Sequence, residues 1–134
     1  VAVVPLIDAD RIVMVRQFRQ AAGEALMEIP AGTLEPGEDP DLCAHRELQE
    51  EVGYRADRLD LMFRSYLAPG YSTEMLYTFV ARGLTRVCAE RDPDEFIEIV
   101  EVPVERAVEM IRSGEIKDAK TICGVLMAKG ELGS

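Results

Sequence analysis

The first third of the chain carries short apolar runs separated by turn-forming residues, a pattern typical of β-strands. Residues 1–7 are almost wholly apolar, and a second apolar run over 11–18 follows the turn-forming triplet of residues 8–10. A third run, residues 25–29, ends at the Pro-Ala-Gly sequence of residues 30–32, which closes the strand and begins a loop. We therefore predict three strands before residue 30.

The apolar spacing changes from a strand period to a helical period after residue 38. Asp39 is a typical N-cap residue, and Pro40 suits the first helical position because its missing N–H needs no partner there. Gly53 is a typical residue just after a helix C-terminus. Between these signals, apolar side chains recur at Leu42, Leu48 and Val52. The pattern predicts a helix over residues 40–52.

The second half of the chain continues with strand-like runs and finishes with helical spacing. Strands are predicted over 59–67, 75–84 and 96–104, and helices over 104–112 and 118–126. This order predicts a mixed α/β (α+β) fold. Since the chain has 134 residues without repeats or linkers, we predict a single domain over 1–134.

Composition and charge exclude several classes of protein. Hydrophobic residues make up 48% of the chain and charged residues 30%, which is a globular composition. Twenty-five acidic residues against fifteen basic ones give a net charge of -10, which argues against nucleic-acid binding. No apolar run approaches the roughly 18 residues of a membrane span, no leader-like segment opens the chain, and the three cysteines form no disulfide or metal pattern. We therefore predict a cytoplasmic protein with no membrane or nucleic-acid partner.

Three glutamates of the predicted helix lie on one face. Glu47, Glu50 and Glu51 stand at positions i, i+3 and i+4, so their carboxylates project one turn apart. Each like-charged pair at this spacing costs about 0.2–0.5 kcal/mol, a penalty that a bound hard divalent cation would reverse. Taken alone, the three residues fit either a metal site or an acidic, solvated helix face.

The sequence around these glutamates forms a longer motif. The stretch GTLEPGEDPDLCAHRELQEEVGY, residues 32–54, matches every fixed position of the Nudix box, so the chain resembles the Nudix hydrolases. The resemblance implies a Nudix-type α/β/α sandwich, in which a curved, partly antiparallel sheet lies between the first helix and the last two. It also implies a Mg²⁺ cofactor, with Mn²⁺ as an alternative. It makes Glu47 and Glu51 the principal metal ligands, with Glu50 sharing or bridging them. It also places a main-chain carbonyl near Ala31 toward the metal.

The resemblance also suggests which residues support catalysis. Arg46 would orient the carboxylates of the helix, the alternative being an exposed i, i+4 ion pair with Glu50. The family's late acidic loop, which supplies a catalytic base or another metal ligand, maps onto residues 90–95, where Glu95 aligns best. Asp92 and Asp94 are the competing acids, and a disordered acidic loop is the alternative to a catalytic one.

Segments outside the box look like the ADP-ribose pyrophosphatase branch of the family. These segments are residues 15–19, 28–32 and 68–74. Pro69 lies sixteen residues after Gly53, where that branch carries a proline, and the alternative for Pro69-Gly70 is an ordinary turn between two strands. The resemblance makes Arg19, Pro69 and Glu74 substrate-binding residues. Arg19 would clamp a phosphate through its guanidinium, and the alternative is a surface arginine.

The function implied by the resemblance is hydrolysis of a nucleoside diphosphate linked to another moiety. The expected substrate is ADP-ribose, cleaved to AMP and ribose 5-phosphate. The alternatives are a nucleotide-sugar, dinucleotide or nucleoside-triphosphate hydrolase, and a Nudix-fold module that binds ADP-ribose without cleaving it. Relatives in this branch carry N-terminal strands that build a dimer. We expect those strands to be absent from a chain that begins at Val1, which leaves a homodimer open.

Overall fold

The computed structural model describes residues 1–87 and 97–132, which form strands and helices in a mixed order. The strands are β1 Ala2–Pro5, β2 Arg11–Arg19, β3 Glu24–Glu28, β4 Tyr54–Tyr66, β5 Met75–Arg86 and β6 Ile97–Pro103. The helices are α1 Pro40–Glu47, α2 Val104–Ser113 and α3 Ala119–Leu132, and a π-helical turn, Leu48–Val52, continues α1. Within this described part of the chain, no helix combines the length and apolar character needed to cross a membrane.

The predicted strands and helices are all present, with differences at their ends. The helix predicted over 40–52 consists of α1 and the π-helical turn. β4 begins five residues before the predicted start at residue 59, and α3 continues six residues beyond the predicted end at 126. The order of elements therefore follows the sequence pattern, while the boundaries depend on the packing.

The strands form two three-stranded sheets, whereas the expected architecture has one curved sheet. In the first, β5 lies between β1, which is parallel to it, and β4, which is antiparallel. In the second, β2 lies between β3 and β6 and is antiparallel to both. Isolated bridges from Leu6 to Ile12 and from Ala2 to Ala31 link the two sheets. The predicted mixed, partly antiparallel strand arrangement is confirmed.

Alternate residues of β1 and β2 point to opposite faces and build two hydrophobic cores. One core joins these strands to α2 and α3, and includes Ala2, Val4, Ile12, Met14, Ala107, Met110, Val125 and Ala128. The other joins them to α1 and the π-helical turn, and includes Val3, Val13, Val15, Cys43, Ala44, Leu48 and Val52. Helices thus cover both faces of the sheets, which confirms the predicted α/β/α layers.

The start of α3 is fixed next to the end of β3. Oδ2 of Asp118 caps the helix by accepting hydrogen bonds from the Thr121 N–H at 3.3 Å and the Thr121 hydroxyl at 2.6 Å. Thr121 Oγ1 in turn accepts from the N–H of Ile29 at 3.0 Å. The helix also lies close to this residue, because a Cβ on Gly124 would come within 3.1 Å of Ile29 Cδ1. The first turn of α3, including Lys120, is thereby held beside β3.

Candidate functional site

The three glutamates of the predicted metal site lie where α1 changes into the π-helical turn. Glu47 is the last residue of α1, and Glu50 and Glu51 belong to the π-helical turn. Gly53 ends the segment in the left-handed conformation, with φ 76°, and its N–H donates to the Gln49 carbonyl at 3.0 Å. The prediction that Gly53 ends the helix is confirmed.

The loop after β3 passes directly over the carboxylate of Glu47. A Cβ placed on Gly32 would overlap the carboxyl group of Glu47, so glycine is required for this approach. The next residue toward β3, Ala31, donates its N–H to Oε2 of Glu51 at 3.3 Å. The backbone of the loop therefore contacts two of the predicted metal ligands. Ala31 makes its contact through the N–H, and the metal-binding role of its carbonyl stays a prediction.

Arg46 connects the acidic groups of the site. Its Nε and Nη2 donate to the two carboxylate oxygens of Glu38 at 2.9 and 3.0 Å. Its Nη1 donates to Glu47 at 2.9 Å and to Glu50 at 3.2 Å, and its Nη2 also donates to the Thr33 carbonyl at 3.2 Å. The bond to Glu50 is therefore one part of a larger network. This arrangement favours the orienting role of Arg46 over the exposed ion pair.

The pKa values of two carboxyl groups around Arg46 shift in opposite directions. Hydrogen bonds from Arg46 lower the pKa of Glu38 to about 2. The pKa of Glu47 is raised, mainly because burial penalises its charged form and also because Glu50 is negatively charged, although Arg46 opposes the shift. Burial thus disfavours the charged form of Glu47, and a nearby cation would stabilise that form.

The donor set of this region fits a hard divalent cation. The candidate ligands are carboxylate and main-chain oxygens, which Mg²⁺ prefers. Within residues 1–87 and 97–132, no three His, Cys, Asp or Glu side chains are already grouped as metal ligands. Glu47 and Glu50 instead contact Arg46, and Glu51 contacts the N–H of Ala31. These side chains would have to turn away from their present partners to hold a metal.

A cavity of about 670 Å³ adjoins the carboxylates. Its wall includes three of the predicted site residues, Arg19, Ala31 and Glu74. Gly32, which contacts Glu47, lines the same cavity, as does Lys120 of α3. The fold therefore brings the predicted metal ligands and the predicted phosphate clamp to one place.

Arg19 is ion-paired at the cavity wall, an arrangement that differs from a solvated surface arginine. Its Nε and Nη2 donate to the two oxygens of Glu28 at 2.7 and 2.9 Å. Lys120 Nζ donates to the same carboxylate at 2.7 Å. Burial raises the pKa of Glu28, but hydrogen bonds from these two cations outweigh burial and hold the pKa below its usual range. Glu28 is therefore charged and fully paired.

The remaining predicted site residues differ in their placement. Glu74 is exposed and lines the cavity at the end of the loop after β4. Pro69 is exposed in a turn of this loop, where the Tyr71 N–H donates to the Ala68 carbonyl at 3.1 Å, and it does not line the cavity. The base candidate Glu95 and its competitors Asp92 and Asp94 lie outside the described residues.

Two charged residues of the cavity region, Glu28 and Lys120, were not predicted to be functional. Glu28 interrupts the buried residues Met27 and Ile29, and a charged residue within an apolar strand is a sequence signal for a buried ion pair. Lys120 gives a weaker signal, because a lysine in the first turn of a helix is usually solvent-exposed. Its pairing with Glu28 joins residues 92 positions apart.

Comparisons with known proteins agree with this fold. The NUDIX domain family model matches residues 1–123. The chain is 43% identical over 123 residues to an ADP-ribose pyrophosphatase of Bacillus subtilis (strain 168), covering 90% of this chain and 66% of the relative. It is 38% identical over 120 residues to a GDP-mannose pyrophosphatase of Salmonella typhimurium, covering 83% of this chain and 62% of the relative.

Two further matches bear on function and fold. A methanol dehydrogenase activator of Bacillus methanolicus is 38% identical over 127 residues, covering 93% of this chain and 69% of that protein. The chain thus spans about two thirds of the length of the curated relatives it matches. A crystal structure of an ADP compounds hydrolase superposes with a TM-score of 0.88 over 98% of this chain and 70% of that one. At 24% identity, this likeness establishes the shared fold.

Proposed function

We propose, from the premise that this chain belongs to the NUDIX domain family, that it is a pyrophosphatase acting on a nucleoside diphosphate linked to another moiety. Enzymes of this family are metal-dependent hydrolases. One observation carries the proposal: the carboxylate cluster, which consists of Glu47, Glu50 and Glu51, meets the 670 Å³ cavity at Ala31 and Gly32. A substrate in the cavity would therefore have its phosphates next to the carboxylates.

The preferred substrate in this proposal is ADP-ribose, which water would cleave to AMP and ribose 5-phosphate. The reaction breaks one bond of the P–O–P bridge, and the attacking water supplies the oxygen that the new phosphate group needs. The 43% identical relative is an ADP-ribose pyrophosphatase, and its alignment includes most of the described site. A binding module without hydrolysis is disfavoured because all three helix glutamates of the box are present.

We assign roles to the residues of the carboxylate cluster within this proposal. Glu47 and Glu51, with Glu50 shared between them and the carbonyl near Ala31, would hold Mg²⁺ or Mn²⁺. When bound, such a cation would neutralise charge on the phosphate oxygens and activate water. Arg46 keeps the glutamates oriented through its contacts with Glu47 and Glu50.

Residues around the cavity complete the proposed site. Arg19 contacts the substrate phosphates, and Glu74 lines the cavity at the end of the loop that contains Pro69. Glu95 is the proposed general base. The expectations of a cytoplasmic location, a homodimer and no nucleic-acid partner stay predictions.

A second candidate function is hydrolysis of a nucleotide sugar such as GDP-mannose. The observation that favours it is the 38% identity to GDP-mannose pyrophosphatases. The two substrates share a diphosphate and differ in the base and in the second sugar. Both would place the diphosphate beside the same carboxylates, so a substrate comparison separates them.

Steady-state assays with excess Mg²⁺ test the proposal. We expect kcat/KM for ADP-ribose to exceed that for GDP-mannose, dinucleotides and nucleoside triphosphates by at least about tenfold, which needs only about 1.4 kcal/mol of additional transition-state binding. Glu51→Gln should remove most of the activity, while Glu109→Gln, on an exposed face of α2, should not change it. A higher kcat/KM for GDP-mannose would mean that the preferred substrate is that nucleotide sugar and not ADP-ribose. If the protein hydrolyses none of these compounds, the proposal is wrong.

A further inference from the structure

Glu28 is a buried charge that the proposed metal chemistry does not use. Its side chain is 2% exposed, and its neighbours Met27 and Ile29 are both buried. A carboxylate in such surroundings is strongly unfavourable without partners. Both of its oxygens are bonded to cations, which reach it from β2 through Arg19 and from α3 through Lys120. The carboxylate therefore brings two positive charges together at one point.

Both cations keep hydrogen-bond donors beyond those that Glu28 uses. Lys120 Nζ has three N–H donors and makes bonds to Glu28 at 2.7 Å and to Asp118 at 2.9 Å. Arg19 has five donors, and its pairing with Glu28 uses two of them. Since both residues line the cavity, each can offer a further donor to an anion there.

The two cations lie on the same cavity as the loop that touches the carboxylates. Ala31 and Gly32 line this cavity, and the Ala31 N–H donates to Glu51. The charge of Glu51 contributes to the raised pKa of Arg19, so the carboxylate cluster and the cation pair interact electrostatically. A diphosphate in the cavity would therefore lie between the two groups of charges.

We propose that Lys120 is a second phosphate-binding residue beside Arg19, and that Glu28 is the positioning residue that holds both cations at the cavity wall. The ligand is the diphosphate of a nucleoside diphosphate conjugate, so this inference rests on the proposed function. The competing explanation is a purely structural tie between β2, β3 and α3. A structural tie would affect stability and leave the affinity for a diphosphate unchanged.

Binding of a diphosphate that cannot be hydrolysed tests this proposal. The probe is adenosine 5′-(α,β-methylene)diphosphate, titrated into the protein by calorimetry with excess Mg²⁺. Loss of a charge-assisted bond in Lys120→Met should weaken binding at least about tenfold, and Lys120→Arg should restore most of the affinity. Lys117→Met is the matched control, because Lys117 pairs with Glu24 of β3 at 2.9 Å and does not line this cavity. It should bind the probe as the parent protein does.

The positioning role of Glu28 needs a kinetic measurement. Glu28→Gln should raise KM for ADP-ribose at least about tenfold and change kcat by less than about threefold, because the lost contacts act on the bound substrate and the transition state alike. Urea unfolding of each variant shows whether it is folded. If Glu28→Gln is not folded, probe binding by the Lys120 variants tests the proposal.

The outcomes separate this proposal from the proposed function. Tight probe binding by Lys120→Met together with reduced stability would establish the structural tie and overturn the phosphate site. If the parent protein does not bind the probe, the proposed phosphate site is wrong as well. If the parent protein binds the probe through Lys120 but hydrolyses no diphosphate conjugate, the phosphate site stands and the proposed hydrolysis is wrong.

Discussion

At the scale of single residues, Gly32 decides whether the carboxylate of Glu47 can lie where it does. The backbone of the loop and the carboxyl group share a space that leaves no room for a side chain. Glycine is required here for close approach of two groups, whereas at Gly53 it is required for a positive φ. Gly32 and Gly53 are therefore glycines for different physical reasons.

Gly32→Ala tests whether this close approach supports the metal site. The added methyl group should push Glu47 from its position and remove most of the rise in melting temperature that Mg²⁺ or Mn²⁺ causes in the parent protein. Thermal unfolding with and without the metal measures this. Gly130→Ala, which places a methyl group in open space on α3, should keep the metal-dependent rise. An unchanged rise in Gly32→Ala would contradict the assigned position of Glu47.

The ion pair between Arg46 and Glu38 predicts a pH dependence of stability. Arg46 lowers the pKa of Glu38 from 4.5 to about 2. The contribution of this ion pair to the free energy of unfolding is therefore complete above about pH 4.5 and is lost as the pH falls through 2. Urea unfolding with a chelator should therefore find Glu38→Gln less stable than the parent at pH 7, with a smaller difference at pH 3. Asp60→Asn, at an exposed pair with Arg58, should differ little from the parent at either pH.

The sequence predicts some residues of the site much better than others. Glu47, Glu50 and Glu51 follow from spacing within one helix, because positions i, i+3 and i+4 must share a face. The pairing of Glu28 with Lys120 depends on where α3 packs against β3, 92 residues along the chain. No local pattern carries that information, so the second cation of the cavity becomes visible only in the folded structure.

At the scale of secondary-structure elements, the least predictable feature is the π-helical turn after α1. Apolar Leu48 and Val52 are buried as the helical pattern requires, so an α-helix and a π-helical turn give the same hydrophobic signal. The apolar pattern predicts too late a start for β4, because charged residues at the beginning of the strand interrupt the pattern. These residues, Arg55, Asp57 and Arg58, are exposed on the strand. Exposed charged residues at the start of a strand thus make its first residues hard to predict from apolar spacing.

The packing of α3 on the sheets can be tested with two alanine substitutions in the same helix. A Cβ on Gly124 would lie 2.9 Å from Val4 Cγ2, so Gly124→Ala should lower the free energy of unfolding by about 1–3 kcal/mol. Gly130 has open space around it, and Gly130→Ala should raise stability by about 0.5–1 kcal/mol through helix propensity. Urea denaturation measures both. Equal effects of the two substitutions would mean that α3 does not pack closely at Gly124.

At the scale of the whole molecule, the two hydrophobic cores are joined by the strands that they share. Val3 points to the core beneath α1, and Val4 points to the core beneath α2 and α3. A disturbance of β1 therefore reaches both faces of the sheets. We expect the chain to unfold as one cooperative unit, in keeping with the single domain predicted from the sequence.

Substitutions in β1 test this cooperativity. Val3→Ala and Val4→Ala each remove buried methyl groups and should each lower the free energy of unfolding by about 1–3 kcal/mol. In both variants, far-UV circular dichroism and tyrosine fluorescence should report a single shared transition. Separate transitions, with Val3→Ala affecting one and Val4→Ala the other, would indicate two independently folding halves.

The position of β4 at the edge of its sheet has a consequence for self-association. Among the described residues, β4 pairs with β5 and with no strand on its other side. An open edge of 13 residues is long enough to recruit the edge of another molecule and seed aggregates. Arg55, Arg58, Asp60 and Arg64 are exposed along this strand. Such charges oppose edge-to-edge pairing, and their neutralisation would make the protein prone to form insoluble β-structured assemblies.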